Sequence, residues 1–389
     1  MKFNYYIPSR LLFGRGQLEE LHRHELPGKK ALIVMSAGKS MKKYGYIDRL
    51  TAQLDMAGVG YEIFAKILPN PIKPHVMEGA ALARESGCDF VIGIGGGSSI
   101  DSAKAIAIMA VNDGDYWDYI GGGTGKGMTP QNDPLPVVAI TTTAGTGTEA
   151  DPWTVITNDE TNEKIGGGYD KTFPVLSVID PDLMMSVPPA LTAYQGFDAL
   201  FHSTEGYINN TAYVLSDMYA LKAIELIGKY LPAAVNNGSD GEAREMVALA
   251  NTLAGMVEST SGCTSEHSLE HALSAFHPDL THGAGLIMVS EAYYTHFIER
   301  GVCDGRMVDM ARALGNRDAS EPMDFVRALV RLQKDCGVYG LKMSDFGIKY
   351  DDLRKYAENA KETMGGLFEV DPAPVSTDQA LEILQKSYK

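Results

Sequence analysis

"GIGGGSSIDSAKAIAI", residues 93–108, is the stretch on which the fold turns. An apolar run from Phe90 to Ile94 stops in three consecutive glycines and restarts as a helical pattern. Glycine weakens both strand and helix interiors, so its use here calls for a backbone reason. A strand that ends in Gly95, Gly96, Gly97 and Ser98 and runs into a helix offers backbone N–H groups at the positive end of the helix dipole. That arrangement binds an anion such as a pyrophosphate, and a bare backbone lets the phosphate come close. Ser98 and Asp101 resemble a capping arrangement over the first helical turn. The spacing is not the strict GxGxxG, because Ser98 stands where the last glycine would fall. A tight strand–helix turn alone would also use glycine.

The surroundings extend this reading. "ALIVM" (31–35), "FVIGI" (90–94), "VVAIT" (137–141) and "VLSVID" (175–180) are of strand length and rich in Val and Ile. Helical patterns such as "VMEGAALARESG", from Val76, lie between them. This alternation predicts an α/β domain over residues 1–187, Rossmann-like, with a parallel sheet covered on both faces. Beyond Pro188 and Pro189 the periodicity becomes helical, as in "SDMYALKAIELIGKYL", which predicts an all-α domain over 188–389. A chain of 389 residues is too long for one ordinary core. A second loop, "TTTAGTGTEAD" (141–151), also follows a strand, and its Thr141, Thr142, Thr143 and Thr146 can donate to phosphate or ribose oxygens. Two such loops at the ends of parallel strands share the sheet edge where nucleotides bind.

The net charge of −16 argues against a nucleic-acid or membrane-surface partner. No apolar run is long enough to span a bilayer, and the first residues lack the basic start and apolar core of a signal peptide, so neither a membrane span nor a signal peptide is expected. The four cysteines form no CxxC pair, which predicts reduced thiols and a cytoplasmic protein.

Five of the nine histidines fall between His202 and His282, the others being His267, His271 and His277. Asp198 and His202 are four residues apart, as are His267 and His271, so each pair shares a helix face. A carboxylate with several imidazoles is a donor set for a divalent transition metal. Spacing alone does not choose among the histidines.

Together, "GGGSSIDSAK", "TTTAGTGTEAD", "PPALTAYQGFDALFHSTEGY" and "EHSLEHALSAFHPDLTHGAG" resemble the iron-containing (group III) alcohol dehydrogenase family, in the family's order and over nearly the whole chain. The pattern is closest to its butanol dehydrogenase and aldehyde reductase branch. The resemblance implies a dehydroquinate synthase-like fold with the active site between a dinucleotide-binding and a helical domain. It implies Asp198, His202, His267 and His282 as metal ligands and His271 as a catalytic histidine near the reacting centre. It further implies cofactor contacts from Gly95, Gly96, Gly97, Ser98, Thr141, Thr142 and Thr146, with Asn70 and Lys164 on the cofactor side. Asp101 falls near the nicotinamide and substrate, and Trp153 where substrate-pocket residues occur, a core role being the alternative for Trp153.

The implied reaction is hydride transfer between NAD(P)(H) and a small primary alcohol or aldehyde, with Fe2+ polarising the substrate oxygen; Zn2+ is the alternative ion. The resemblance also carries the expectation of a homo-oligomer. A zinc glycerol dehydrogenase-like enzyme and a dehydroquinate synthase-like lyase are the competing readings. The lyase needs a basic cluster near the histidines, and Lys222, Lys229 and Arg244 lie away from them in sequence. No acidic residue occurs from Ala31 through Tyr46, where an NAD-specific fold places one; instead Gly38, Lys39 and Ser40 form a small basic loop. NADP(H) is therefore expected ahead of NAD(H).

Overall fold

The structure, a computed structural model, describes residues 2–389. The chain forms two compact units: one comprises Ile7–Thr143 and Thr148–Ser186, the other Val187–Lys389 with Ala144–Gly147 and the N-terminal arm through Tyr6.

The first unit holds eight strands: β1 (Arg10–Phe13), β2 (Lys30–Ser36), β3 (Gly60–Ile67), β4 (Phe90–Gly95), β5 (Val137–Thr141), β6 (Thr154–Asn158), β7 (Glu163–Gly167) and β8 (Leu176–Ile179). Six of them make a wholly parallel sheet in the order β1-β8-β5-β4-β2-β3, and β6 with β7 makes an antiparallel hairpin. Every residue of β4, β5 and β8 is buried, because both sheet faces are covered. That is why these strands read as continuous apolar runs. Beneath the sheet, Ile33, Ile92, Ile140 and Val178 pack with Leu18, Leu21, Leu50 and Leu54. β1, β3 and the hairpin are not evident from the sequence pattern. β3 is an edge strand, half exposed, and carries Glu62 and Lys66 among its apolar residues. Such charges protect an open edge and dilute the strand signal.

The topology positions a binding edge. From β2 the chain goes outward to β3, whereas β4 continues to β5 on the other side, so β2 and β4 are neighbours at a switch in direction. Ligands of open α/β sheets bind outside the carboxyl ends of the strands at such a point. The turns after β2 and β4 contain Gly38–Ser40 and Gly95–Ser98 respectively.

The second unit is helical, and among the described residues no strand follows β8. Three of its helices matter for the site: Pro189–Ile208, Ser265–Phe276 and His282–Ile298. The first is buried along nearly its whole length from Thr192, so its polar residues need partners inside the protein.

Candidate active site

Asp198, His202 and Glu205 lie at i, i+4 and i+7 on Pro189–Ile208, along one face. His267, Glu270 and His271 lie at i, i+3 and i+4 on Ser265–Phe276, and His282 is the first residue of His282–Ile298. The three helices converge on the Asp198 carboxylate. Its Oδ1 is 3.4 Å from His282 Nε2, 3.6 Å from His267 Nε2 and 3.7 Å from His202 Nε2. These separations are too long for hydrogen bonds but close to the spacing of two ligands on one ion. The His202 and His267 rings stack with centroids 4.5 Å apart, and those of His267 and His282 are 5.3 Å apart.

Asp198 Oδ1, His267 Nε2 and His202 Nδ1 are buried without a hydrogen-bond partner. Leaving such groups desolvated and unpaired costs about 1–3 kcal/mol each, so they call for a ligand. A cation among Asp198, His202, His267 and His282 fits the orphaned Asp198 Oδ1 and His267 Nε2 and the nitrogen and oxygen donors.

Sequence reasoning missed the carboxylates behind the histidines. His267 Nδ1 bonds Glu205 Oε1, and His282 Nδ1 bonds Glu270 Oε2. With Nδ1–H donating to a carboxylate, the Nε2 lone pair is left facing Asp198. Glu205 Oε2 also accepts from Thr264 N at 2.7 Å and Thr264 Oγ1 at 2.9 Å, which fixes the carboxylate itself. Glu258 Oε2 lies 3.7 Å from His202 Nε2. The available signal was spacing: Glu205 continues the Asp198–His202 face, and Glu270 lies three residues after His267. Gly285 leaves room for Glu270, since a Cβ there would lie 2.7 Å from Glu270 Cγ.

Electrostatics favour the ligand state. Burial raises the Asp198 pKa, but the His202 and His282 imidazoles and contacts from His267 and His282 outweigh it and hold the carboxyl well below its usual range. Burial, with the neighbouring imidazoles, brings His202 down to about 3 despite Asp198. Burial also pushes the Cys263 thiol well above its usual value.

His271 sits beside this set, with its ring centroid 5.2 Å from that of His282 and its Nδ1 3.0 Å from Met364 Sδ. Met364 reaches it from a kink in the helix Leu353–Glu369, where its backbone is non-helical. His277 lies outside the cluster, with Nε2 2.8 Å from Tyr356 OH.

On the sheet unit, Gly95 ends β4 at φ 145°, a conformation open to glycine but strained for other residues. The helix Gly97–Met109 follows, with Gly96 at its cap and no side chain capping it. The expected Ser98–Asp101 cap is therefore not formed. Ser98 Oγ donates to Pro69 O instead, which joins the glycine turn to the segment bearing Asn70. Lys164 Nζ lies 3.3 Å from Asn70 Oδ1, and Thr142 N donates to Gly95 O at 2.8 Å. Thr141 and Thr142 stand on this unit with the glycine turn, while Thr146 belongs to the segment Ala144–Gly147 of the helical unit, where Gly147 N donates to Asn251 Oδ1 at 2.9 Å. Gly38, Lys39 and Ser40 are exposed after β2.

Asp101 is occupied inside the fold. Its Oδ1 accepts from Thr148 Oγ1 at 2.7 Å and its Oδ2 from Val155 N at 3.0 Å. Burial pushes this carboxyl up to about 6, with Lys104 opposing. The buried Lys104 ammonium donates to Thr148 Oγ1, to Asp151 and to the Trp153 carbonyl at 2.7–3.0 Å, and so ties down the loop before β6. The Trp153 side chain is not core: the residue is 38% exposed.

A nucleotide-binding edge on a parallel sheet and a histidine–carboxylate cluster on a helical unit define a class, the metal-dependent nicotinamide-linked oxidoreductases. Residues 8–181 match the family model "Iron-containing alcohol dehydrogenase", and residues 192–388 match "Fe-containing alcohol dehydrogenase family, C-terminal". The chain is 36% identical to alcohol dehydrogenase 4 of Schizosaccharomyces pombe, over 91% of this chain and 83% of that one. It is 32% identical to the NADH-dependent butanol dehydrogenase A of Clostridium acetobutylicum over the full length of both. Its fold superimposes on the archaeal halo-thermophilic alcohol dehydrogenase from a Red Sea brine pool with a TM-score of 0.94 and 35% identity, over 100% of this chain and 99% of that one. The chain belongs to the iron-containing alcohol dehydrogenase family, with its dehydroquinate synthase-like fold, and is an oxidoreductase acting on alcohols and aldehydes. The lyase and glycerol dehydrogenase readings are not favoured. Among the described residues no helix is long and apolar enough to cross a membrane.

Proposed function

We propose that Asp198, His202, His267 and His282 hold Fe2+, with Zn2+ as the alternative ion, and that the enzyme interconverts small primary alcohols and aldehydes with NADP(H) ahead of NAD(H). The observation that carries the metal assignment is the convergence of three imidazole Nε2 atoms on Asp198 Oδ1 at 3.4–3.7 Å, with donor atoms left unpaired. When bound, the ion supplies a Lewis acid for the substrate oxygen and the nicotinamide supplies or accepts the hydride. The protein's part is to bind, orient and move a proton. Glu205 and Glu270 keep the His267 and His282 Nε2 atoms turned inward. His271 takes the hydroxyl proton during oxidation and returns it during reduction, carried at Nε2, since Nδ1 faces Met364. The Gly95–Ser98 turn, with Asn70, Thr141, Thr142, Thr146 and Lys164, binds the cofactor phosphates and ribose. Gly38, Lys39 and Ser40 take the 2′-phosphate, and Trp153 lines the substrate pocket. Asp101 serves as an anchor of the β6 loop.

The butanol dehydrogenase relative supports the substrate class, although its name also specifies NADH. Free cysteines support a cytoplasmic setting. The exposed Phe3, Tyr5, Tyr6, Val214 and Met218 support a homo-oligomer.

Metal analysis tests the core of the proposal. His267→Ala should lose most of the bound metal, whereas His271→Ala should keep it and turn over more slowly. Metal kept by the first variant and lost by the second would reverse the two roles.

A further inference from the structure

We infer that Cys263 completes a second, overlapping donor set, in which His202, Cys263 and His267 hold a thiophilic divalent ion such as Zn2+, Cd2+ or Co2+. The inference rests on the reading of the histidine cluster as a metal site and adds a ligand to it. Donor atoms of His202, Cys263 and His267 lie within 4.8 Å of one another, as do those of Asp198, His267 and His282. The two sets share His267; His202 and Cys263 stand with it in one, Asp198 and His282 in the other.

The sulfur stands where an ion can use it. Cys263 follows Gly262, whose φ of 76° turns the chain between the helices Gly241–Thr260 and Ser265–Phe276. Asn209 Nδ2 donates to its carbonyl at 3.1 Å and pins the turn. A buried thiol among apolar neighbours alone is a packing residue. Here His202 and His267 are each only 4% exposed, and His202 Nδ1 and His267 Nε2 lack partners.

Ligand softness separates the two sets. Imidazole and carboxylate accept iron and zinc alike, whereas a thiolate selects the softer ion. His282 sits at the first residue of its helix with 23% of its side chain exposed, and is one of the donors that such an ion gives up. Coordination breaks the Cys263 S–H bond, forms a sulfur–metal bond and releases the proton to solvent, with no electron transferred.

The experiment uses the full-length chain stripped with a chelator and reloaded with Co2+, Cd2+ or Fe2+. The cobalt form should show a near-ultraviolet thiolate-to-cobalt charge-transfer band that Cys263→Ser and Cys263→Ala lose and His282→Ala retains. Cd2+ affinity should fall at least about tenfold in Cys263→Ser while Fe2+ affinity stays within about twofold of wild type. Absence of the band in wild type, its persistence in Cys263→Ser, or equal weakening of both ions overturns the inference. His267→Ala separates the two levels. If it binds every ion at full affinity, the metal reading itself fails; if it loses them while Cys263→Ser changes nothing, only the role of the thiol fails.

Discussion

At the scale of single residues, the buried carboxylates behind His267 and His282 decide which ring nitrogen faces Asp198. Glu205 holds Nδ1 of His267 and is itself held by Thr264. Glu205→Ala should weaken metal binding by about 10–100-fold, and Glu205→Gln, which keeps an acceptor, by less. Competition against a chromophoric chelator measures both dissociation constants, with circular dichroism to show that each variant is folded. Unchanged affinity in Glu205→Ala would mean that the ring is oriented by packing alone. The ligand candidates were legible because Asp198 and His202 obey helical spacing. Glu205 lies on the same face of the helix but does not stand out in the sequence, because a lone glutamate on a helix is ordinarily solvated, whereas this one is fully buried.

At the scale of elements, the proposed cofactor preference rests on the turn between β2 and the short helix Ser40–Lys43. It is exposed, carries Lys39 and presents no carboxylate before Asp48. Lysine beside a 2′-phosphate makes charge-assisted hydrogen bonds, worth about 1.5–3 kcal/mol each. Lys39→Asp should therefore lower kcat/KM with NADPH by at least about tenfold and raise it with NADH. Steady-state rates with one good aldehyde and each reduced cofactor give the comparison. Wild type that uses NADH as well as or better than NADPH, with little change in the variant, would remove the proposed preference. The buried strands β4, β5 and β8 were readable as elements because covered strands are apolar on both faces. β3 was not, because an edge strand mixes charge into its pattern.

At the scale of the whole molecule, the helical unit is closed by contacts distant in sequence. Asp371, just beyond the helix Leu353–Glu369, accepts from Ser265 N at 3.1 Å and from Tyr293 OH at 2.8 Å. Burial pushes its carboxyl up to about 7, and the hydrogen bonds from Ser265 and Tyr293 offset only part of this. Folding thus favours the protonated form. The stability this group contributes is complete below about pH 4 and is lost as pH rises through about 7. The melting temperature of Asp371→Asn relative to wild type, both chelator-treated, should therefore climb between about pH 4 and about pH 7 and level off above. A difference that stays flat across that interval would show that the carboxyl is ionised throughout.

The sequence by itself determined the fold class and the candidate ligands, because periodicity, glycine turns and helical spacing are local properties written in neighbouring residues. Family resemblance then ordered those candidates. Only the tertiary structure decided which atoms converge: Asp198, His267 and His282 lie on three helices, and their approach depends on helix packing. It also decided that Ser98 and Asp101 do not cap a helix, that Trp153 is exposed, and that Cys263 stands among the histidines. Each of these depends on contacts between residues far apart in the chain, and such contacts leave no periodic trace in the sequence.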